Sequence, residues 1–562
     1  MSSGLAGALK RLDPLVISDG DWHAIASPLA RHRLVDRLAA DPVERQQVLQ
    51  QLAQYYSARP DAEAWRAAIW CRIQARQKKA ALDALMNPTW LEFCEHPGLR
   101  FEALRFWSRL GDADFVRNAL TTLQQQTELS APALLAAADL IEAADEHASV
   151  PSSWFSLAAE RARAADDLAR HARALERLGA HPEIGDESCG ALQAALDVYE
   201  GLDGAGASTT ESVRHRLACL YEQQGDIPAA VALYEQALAG REQVLGGDDA
   251  GLVPWLANLG AAHKAAGSLK LANDAFRRAL GLARKRLGSR HPTTAMCCDQ
   301  MAGVAYLAGE YDDAERLYRE AFEATEQAFG PRHAATAACL NNLGTVLDAR
   351  QLYKEAEHCY RRALEIRTAA FGDNHTDTAT TLHNLAATLE VSGQVTEAEL
   401  LYRRALEAWD QLAGSEHAAF ATTLNNLADL LREQRRWGDA EALYRADIEI
   451  WRKLVGPDHP HTLMALGSLG RLYVEGGKPD LAEPLLMHVA ETTARSLGRA
   501  DPSHLEAIAQ LAALLRDTGR VDHARQQLQG ALSAHADTID IISPRIQKLR
   551  KMLDGLDQEI LP

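Results

Sequence analysis

The sequence predicts an all-α protein built as a solenoid of antiparallel helix pairs, and three observations predict it. Small residues recur every 42 positions: Ala230, Ala272, Ala314, Ala356, Ala398, Ala440, Ala482 and Ala524 form an unbroken row. Gly288, Gly330, Gly372, Gly414, Gly456 and Gly498 form a second row, and His291, His333, His375, His417 and His459 follow its first five members at a fixed distance. Within each period the apolar residues fall at helical spacing, in two stripes parted by a turn.

The stretch 334–371 shows one unit. Leu340, Leu343 and Leu347 mark a first helix, Gln351-Leu352 a turn, and Ala356, Tyr360, Ala363 and Leu364 a second helix. The alanine row is expected where the two helices approach closely, since a larger side chain there would overpack the contact at a cost of about 1–3 kcal/mol. The glycine after the second helix suits a left-handed cap. A further glycine row, Gly225, Gly267, Gly309, Gly393, Gly477 and Gly519, is broken by Gln351 and Arg435.

Leu-Asn-Asn-Leu-Gly/Ala, a turn, Glu-Ala-Glu and then Tyr-Arg-Arg-Ala-Leu-Glu closely resembles the tetratricopeptide repeat. The period, and runs such as LNNLADLLREQRRWGDAEALYR, resemble its kinesin-light-chain subtype. The resemblance implies a right-handed superhelix whose first helices line a concave, peptide-binding face. It does not imply motor transport, because the sustained heptads by which light chains join a heavy chain are missing. About eight units are expected within 206–540, after a helical module at 51–205 and before a capping helix at 541–562, where Ile546, Leu549, Leu553 and Leu556 form a stripe. The segment 191–204 fits the second helix of one more, degenerate unit.

Six of the ten tryptophans lie before residue 155, where no 42-residue register is visible. Helical patterns cover 42–56 and 62–85. Leu15-Val16-Ile17, Asp19-Gly20 and the run from Trp22 to Ile25 read as a short hairpin. With the helix at 28–39, residues 1–50 resemble the end of a winged helix beside the helical arms of signalling NTPases of the nucleotide-oligomerisation (STAND/NLR) type; a helical cap is the alternative reading of the segment. No G-x-x-x-x-G-K-[ST] occurs, so the chain is not itself such an NTPase. Gly204-Ala205-Gly206 follows no strand and is a poor phosphate loop.

Lys plus Arg number 59 against 77 Asp plus Glu, a net charge of -18 that disfavours nucleic acid as partner. No apolar run suggests a membrane span; the nearest, 131–144, is interrupted by Asp139 and Glu142. The N-terminal order of charged and apolar residues is wrong for a secretory signal, so a cytoplasmic protein is expected. Eight cysteines show no metal-finger spacing, and Cys298 and Cys359 stand in leucine slots. One histidine per repeat cannot converge on an ion, because stacked helices lie ~8–10 Å apart. No catalytic constellation stands out, and neither an enzyme nor a cofactor is expected. Glu315, Glu357, Glu399 and Glu441 precede Arg319, Arg361, Arg403 and Arg445 by four residues, as helix-supporting pairs do.

One first-helix slot runs Arg216, Asn258, Gln300, Asn342, Asn384, Asn426, Ser468 and Gln510, with Asn341 and Asn425 beside it. By the family pattern this slot faces the groove. A carboxamide donates and accepts, so the row could pair with the backbone of an extended peptide; alternatively, each amide bonds to the neighbouring helix. Asp299, Asp348, Glu390, Asp429, Glu433 and Glu475 flank it, against Lys264, Arg432 and Arg471. That balance favours a neutral-to-basic ligand segment. The function expected is a scaffold or adaptor that holds a partner protein or peptide. The second candidate is a sensor arm of a signalling or defence complex whose NTPase or effector lies elsewhere. Asp447 breaks the pattern, standing in a slot that holds Ala237, Ala279, Ala321, Ala363 and Ala405. Either the sixth unit is distorted there, or a cation such as Arg404 or Arg445 reaches the carboxylate.

Overall fold

The computed structural model describes residues 42–57, 62–110, 129–144, 150–202, 207–413, 417–499, 501–533 and 544–558. The hairpin expected near Asp19-Gly20, the helix after it and Gly204-Ala205-Gly206 lie outside the described residues. Among the described residues every regular element is a helix, and none is long and apolar enough to cross a membrane. The chain divides after Gly267 into two compact units.

The first unit holds α1 (Pro42–Ser57), α2 (Ala62–Gln74), α3 (Lys78–Leu85), α4 (Pro88–Phe93), α5 (Pro97–Leu110), α6 (Ala131–Ala144), α7 (Ser152–Ala164), α8 (Leu168–Gly179), α9 (Ser188–Gly201), α10 (Ala207–Gln223), α11 (Ile227–Leu245) and α12 (Val253–Ala265). The pattern at 62–85, which suggests one helix, is two: Arg76 adopts φ 57°, which ends α2. Trp90, Trp154, Phe155 and the run Ala133–Ala138 form the core. Asp139 and Glu142, the acids that interrupt the apolar run, do so for a reason. The buried Asp139 carboxylate receives Arg100 (2.7 Å), Arg173 (2.7 Å) and Arg177 (2.6 Å), and Glu142 receives Arg177 (2.5 Å). The α8–α9 pair stands one period before α10 and α11, and Ala172, Leu192, Leu196 and Tyr199 pack with Val213 and Leu217 of α10.

The second unit holds α13 (Leu269–Arg286), α14 (Pro292–Leu307), α15 (Tyr311–Phe329), α16 (Ala334–Ala349), α17 (Tyr353–Phe371), α18 (Thr376–Val391), α19 (Val395–Ala413), α20 (Ala418–Glu433), α21 (Trp437–Val455), α22 (Pro460–Glu475), α23 (Pro479–Ser496), α24 (Pro502–Asp517), α25 (Val521–Ser533) and α26 (Pro544–Gln558). Each helix from α13 to α25 packs on its successor, and α26 lies on α24 and α25. Ile546, Leu549 and Leu556 are buried there, as the apolar stripe predicts.

The rows explain the stacking. All eight alanines of the longest row are fully buried. Glycines of both rows take positive φ, and at the two breaks Gln351 (φ 63°) and Arg435 (φ 61°) adopt the same left-handed turn without glycine's freedom. The histidine row caps first helices: Nδ1 of His291, His333, His375, His417 and His459 accepts the backbone N–H two residues on, at 3.1–3.3 Å. Asp501, next in register, does the same for Ser503 (2.7 Å). Thr294, Thr336, Thr378 and Thr462 then donate to the carbonyls of Gly288, Gly330, Gly372 and Gly456 at 2.7–2.9 Å. His333→Ala should therefore lose about 1 kcal/mol in urea denaturation, while His333→Asp should restore most of it. Equal losses for both variants would remove the capping role.

Neither expectation for Asp447 holds. Its helix, α21, is continuous, and the carboxyl is 1% exposed. Arg404 pairs with Asp373 (3.1 Å) and Arg445 with Glu441 (2.9 Å). Trp451 hydrogen-bonds the Asp447 carboxyl, Oδ1 has no partner, and burial pushes the group up to about 7.

Candidate partner-binding face

The amide column occupies one register slot on successive first helices, and the structure shows what each amide touches. In the second unit, Asn342 donates to Asp299 Oδ1 (2.9 Å) and Asn384 to Asn341 Oδ1 (3.4 Å). Asn426 lies 3.4 Å from His383 Nε2. Gln510, with its amide oriented to match its surroundings, donates to the Gly467 carbonyl (3.3 Å) and accepts from Arg471 (2.9 Å). In the first unit Asn258 Nδ2 lies 2.8 Å from His215 Nε2. Except for Arg471, every partner stands one residue ahead of the preceding unit's column member. The amides thus form the bonds to a neighbouring first helix that were the second of the two sequence readings. An amide has two N–H groups and a carbonyl, so one such bond leaves further capacity on each.

The remaining candidates differ in setting. Asn341 is buried and serves as the acceptor for Asn384. Asn425 donates to Asp429 (3.2 Å), and its Oδ1 is buried without a partner. Ser468 is buried and Gln300 half-buried. Arg216, in the first unit, is exposed and pairs with Glu176 at 3.3 Å.

Sequence reasoning named Asp299, Asn341 and Asn425 but missed His215 and His383, which share their column one residue ahead. Its signal is present, because these polar residues share one register on otherwise apolar helices. His383 shows the chemistry. Thr423 donates its hydroxyl to the Ala419 carbonyl (2.7 Å), so the His383 Nδ1–H must donate to Thr423 Oγ1 (2.9 Å), leaving Nε2 to accept from Asn426. Burial pushes the imidazole down to about 4, so it is neutral near pH 7.

Two carboxylates on the same helices are set differently. Asp348 on α16 is half-buried and accepts the Thr388 hydroxyl (3.1 Å). Glu390 on α18 is half-buried and accepts the Tyr402 hydroxyl (2.8 Å). Burial holds both above the usual carboxylate range, and for Glu390 the charges of Glu433 and Asp429 add to this. The nearby Arg432 is committed elsewhere, to Glu475 (2.7 Å) and Asp429 (3.2 Å). Asp429 also accepts the Tyr444 hydroxyl (2.8 Å). Neither Asp348 nor Glu390 forms an ion pair among the described residues. Three residues before each, in a shared register slot, stands an uncharged residue: Thr345 on α16 and Ala387 on α18.

The opposite, second-helix surfaces carry the expected ion pairs: Glu315–Arg319 (2.8 Å), Glu357–Arg361 (2.9 Å), Glu399–Arg403 (2.6 Å) and Glu441–Arg445 (2.9 Å). Arg361 also reaches Glu397 of the next unit (2.8 Å). The cysteines are free, and six are buried. Burial pushes the Cys297 thiol up to about 11 and Cys298 up to about 12, which suits packing rather than reactivity.

A stack of helix pairs with polar columns along its first helices defines a helical-repeat scaffold of the kind used in protein interaction. The repeats are tetratricopeptide repeats: that family's profiles match residues 293–369, 349–411, 377–446 and 419–493, and also 210–250 and 255–293. No curated protein sequence matches the chain. Among solved structures, the chain is similar to BtubC (BKLC) from P. vanneervenii, with 22% identity over 41% of this chain and 91% of that one, TM-score 0.36. It is similar to a kinesin light chain repeat protein of Podosopora anserina, with 21% identity over 37% and 98%, TM-score 0.34. It is also similar to the apo quorum sensor NprR of B. thuringiensis, with 15% identity over 66% and 98%, TM-score 0.47.

Proposed function

We propose that this chain is a non-catalytic cytoplasmic adaptor that holds an extended, neutral-to-basic segment of a partner protein along its first helices. The observation that carries the proposal is the pair Asp348 and Glu390. Two half-buried carboxylates on successive first helices each accept a hydroxyl and form no ion pair among the described residues; Arg432, whose charge acts on Glu390, is itself paired with Glu475 and Asp429. Burying a carboxylate without a counter-charge is unfavourable, so an incoming Lys or Arg side chain would be drawn to this face. Asn342, Asn384 and Asn426 lie beside the pair, and their remaining amide groups can meet a peptide backbone without regard to its sequence. His383, held neutral by burial, adds no positive charge there.

Selection of a random peptide library on the full chain tests this. Lys and Arg should be enriched among the recovered peptides, and Asp348→Asn with Glu390→Gln should weaken their binding by about tenfold, the equivalent of ~1.4 kcal/mol. Recovery of acidic peptides, or equal binding by the double variant, would refute it.

A further inference from the structure

A second site lies away from the amide column, in the last two units of the array. Between α23, α24 and α25 is a pocket of about 820 Å³. Its floor is apolar: Ala490, Ile508, Leu511 and Leu515 line it, all of them buried. The repeat register explains why it is open. Ala490 stands in the slot held by Leu238, Leu280, Phe322, Leu364, Leu406 and Ile448 in the other units, and those side chains are buried or half-buried. Nearby, Gln527 replaces the leucine of Leu233, Leu317, Leu401, Leu443 and Leu485. The large apolar side chain that the Ala490 slot carries in each earlier unit is missing from this one.

The rim carries three arginines, Arg495, Arg499 and Arg520, against two acids, Glu483 and Glu491. Arg520 is engaged by Glu483 (2.6 Å). Arg495 approaches its nearest carboxylate, Asp458, only to 3.7 Å, and Arg499 forms no ion pair among the described residues. Two weakly answered guanidinium groups thus stand over an apolar floor, in a volume suited to a small molecule.

We propose that this pocket binds a small amphipathic monocarboxylate: an aliphatic body in the place left by Ala490, and a carboxylate at Arg495 and Arg499. The body supplies hydrophobic burial, and the guanidinium fork pairs with the carboxylate. This site is independent of the groove reading and stands or falls without it.

The test is isothermal titration of the full chain with decanoate and, for comparison, decanol. The wild type should bind decanoate saturably at one site. Ala490→Leu restores the residue of the other units, so it should raise the thermal midpoint and weaken decanoate binding at least tenfold. Ala490→Val, a smaller filling, should weaken it by less. Arg499→Gln, at an exposed position, should weaken decanoate several-fold and leave decanol unchanged. Non-saturable uptake, equal binding by wild type and the filled variants, or equal loss of acid and alcohol with Arg499→Gln would overturn the proposal.

Discussion

Between pH 4 and pH 8, Asp447→Ala should gain about 4 kcal/mol of stability in the second unit relative to wild type. The figure follows from the carboxyl's position at about 7 in the folded chain. Against an ordinary value near 3.9 this is a difference of about three units, at ~1.4 kcal/mol each. The direction follows from proton binding. Between about pH 4 and 7 the folded state holds a proton that the unfolded state has released. The acid's contribution is therefore fully present below about pH 4, falls as pH rises through about 7, and is absent above it. The causes are burial at 1% exposure, the like charge of Asp429 nearby, and an unpartnered Oδ1; only the Trp451 hydrogen bond opposes them. Alanine suits the slot, since six other units place one there, Ala531 included. Urea denaturation and amide exchange of α21 should show wild-type stability declining from pH 4 to 7 relative to Asp447→Ala. Parallel pH curves for the two proteins would contradict this.

The second large effect belongs to Asp139. Its carboxylate, 6% exposed, is met by three guanidinium groups at 2.6–2.7 Å. Arg100 is further held by the carbonyls of Cys94 (3.4 Å) and Glu95 (3.2 Å), and Arg173 by Glu95 (3.3 Å), so the arginines cannot simply swing away. Asp139→Asn keeps the shape and removes the charge, leaving three cations crowded around a neutral amide, with Arg100 stripped of its carboxylate and Arg173 and Arg177 left with Glu95 and Glu142. Removing one partner from a buried ionic cluster costs about 3–5 kcal/mol; the arginines here are partly exposed, so about 3 kcal/mol is expected. Amide exchange in α6 and α8 should accelerate accordingly. A buried cluster is screened little by salt, so the loss should persist at 1 M NaCl. A loss below about 1 kcal/mol would show that the arginines find other partners.

The period made most of the array legible. The alanine row marked the close helix contacts, the glycine rows the turns, and the Glu–Arg row the second-helix surfaces, because each role depends on residues a fixed number of positions apart. The histidine row was legible as structural, but its capping bond was not, since Nδ1 is a rare substitute for the Ser, Thr, Asp and Asn oxygens that usually cap. The amide column was visible as a column. Its partners were not, because the pairing runs from one slot to its neighbour in the preceding unit, an offset set by the stagger of stacked helices. Asp447 was visible as an anomaly, yet its protonation depends on Trp451 and Asp429, which only the packed structure brings near. Before residue 155 no register helps, and Asp139 looked like a break in an apolar run until three distant arginines were placed around it.

The central claim is that a partner segment lies along the first helices, and Ala387→Arg tests it most directly. Ala387 sits on α18 between Asn384 and Glu390 and makes no side-chain hydrogen bond of its own. An arginine there fills space on that face and supplies a cation next to Glu390, while the bonds of the amide column stay intact. The account predicts that peptides selected by the wild type lose at least tenfold in affinity, with the thermal midpoint unchanged. Replacing Glu357 and Arg361 together by Ala, on the opposite surface, should leave affinity as it was. Full affinity in Ala387→Arg, or equal loss in the Glu357/Arg361 variant, would contradict the account.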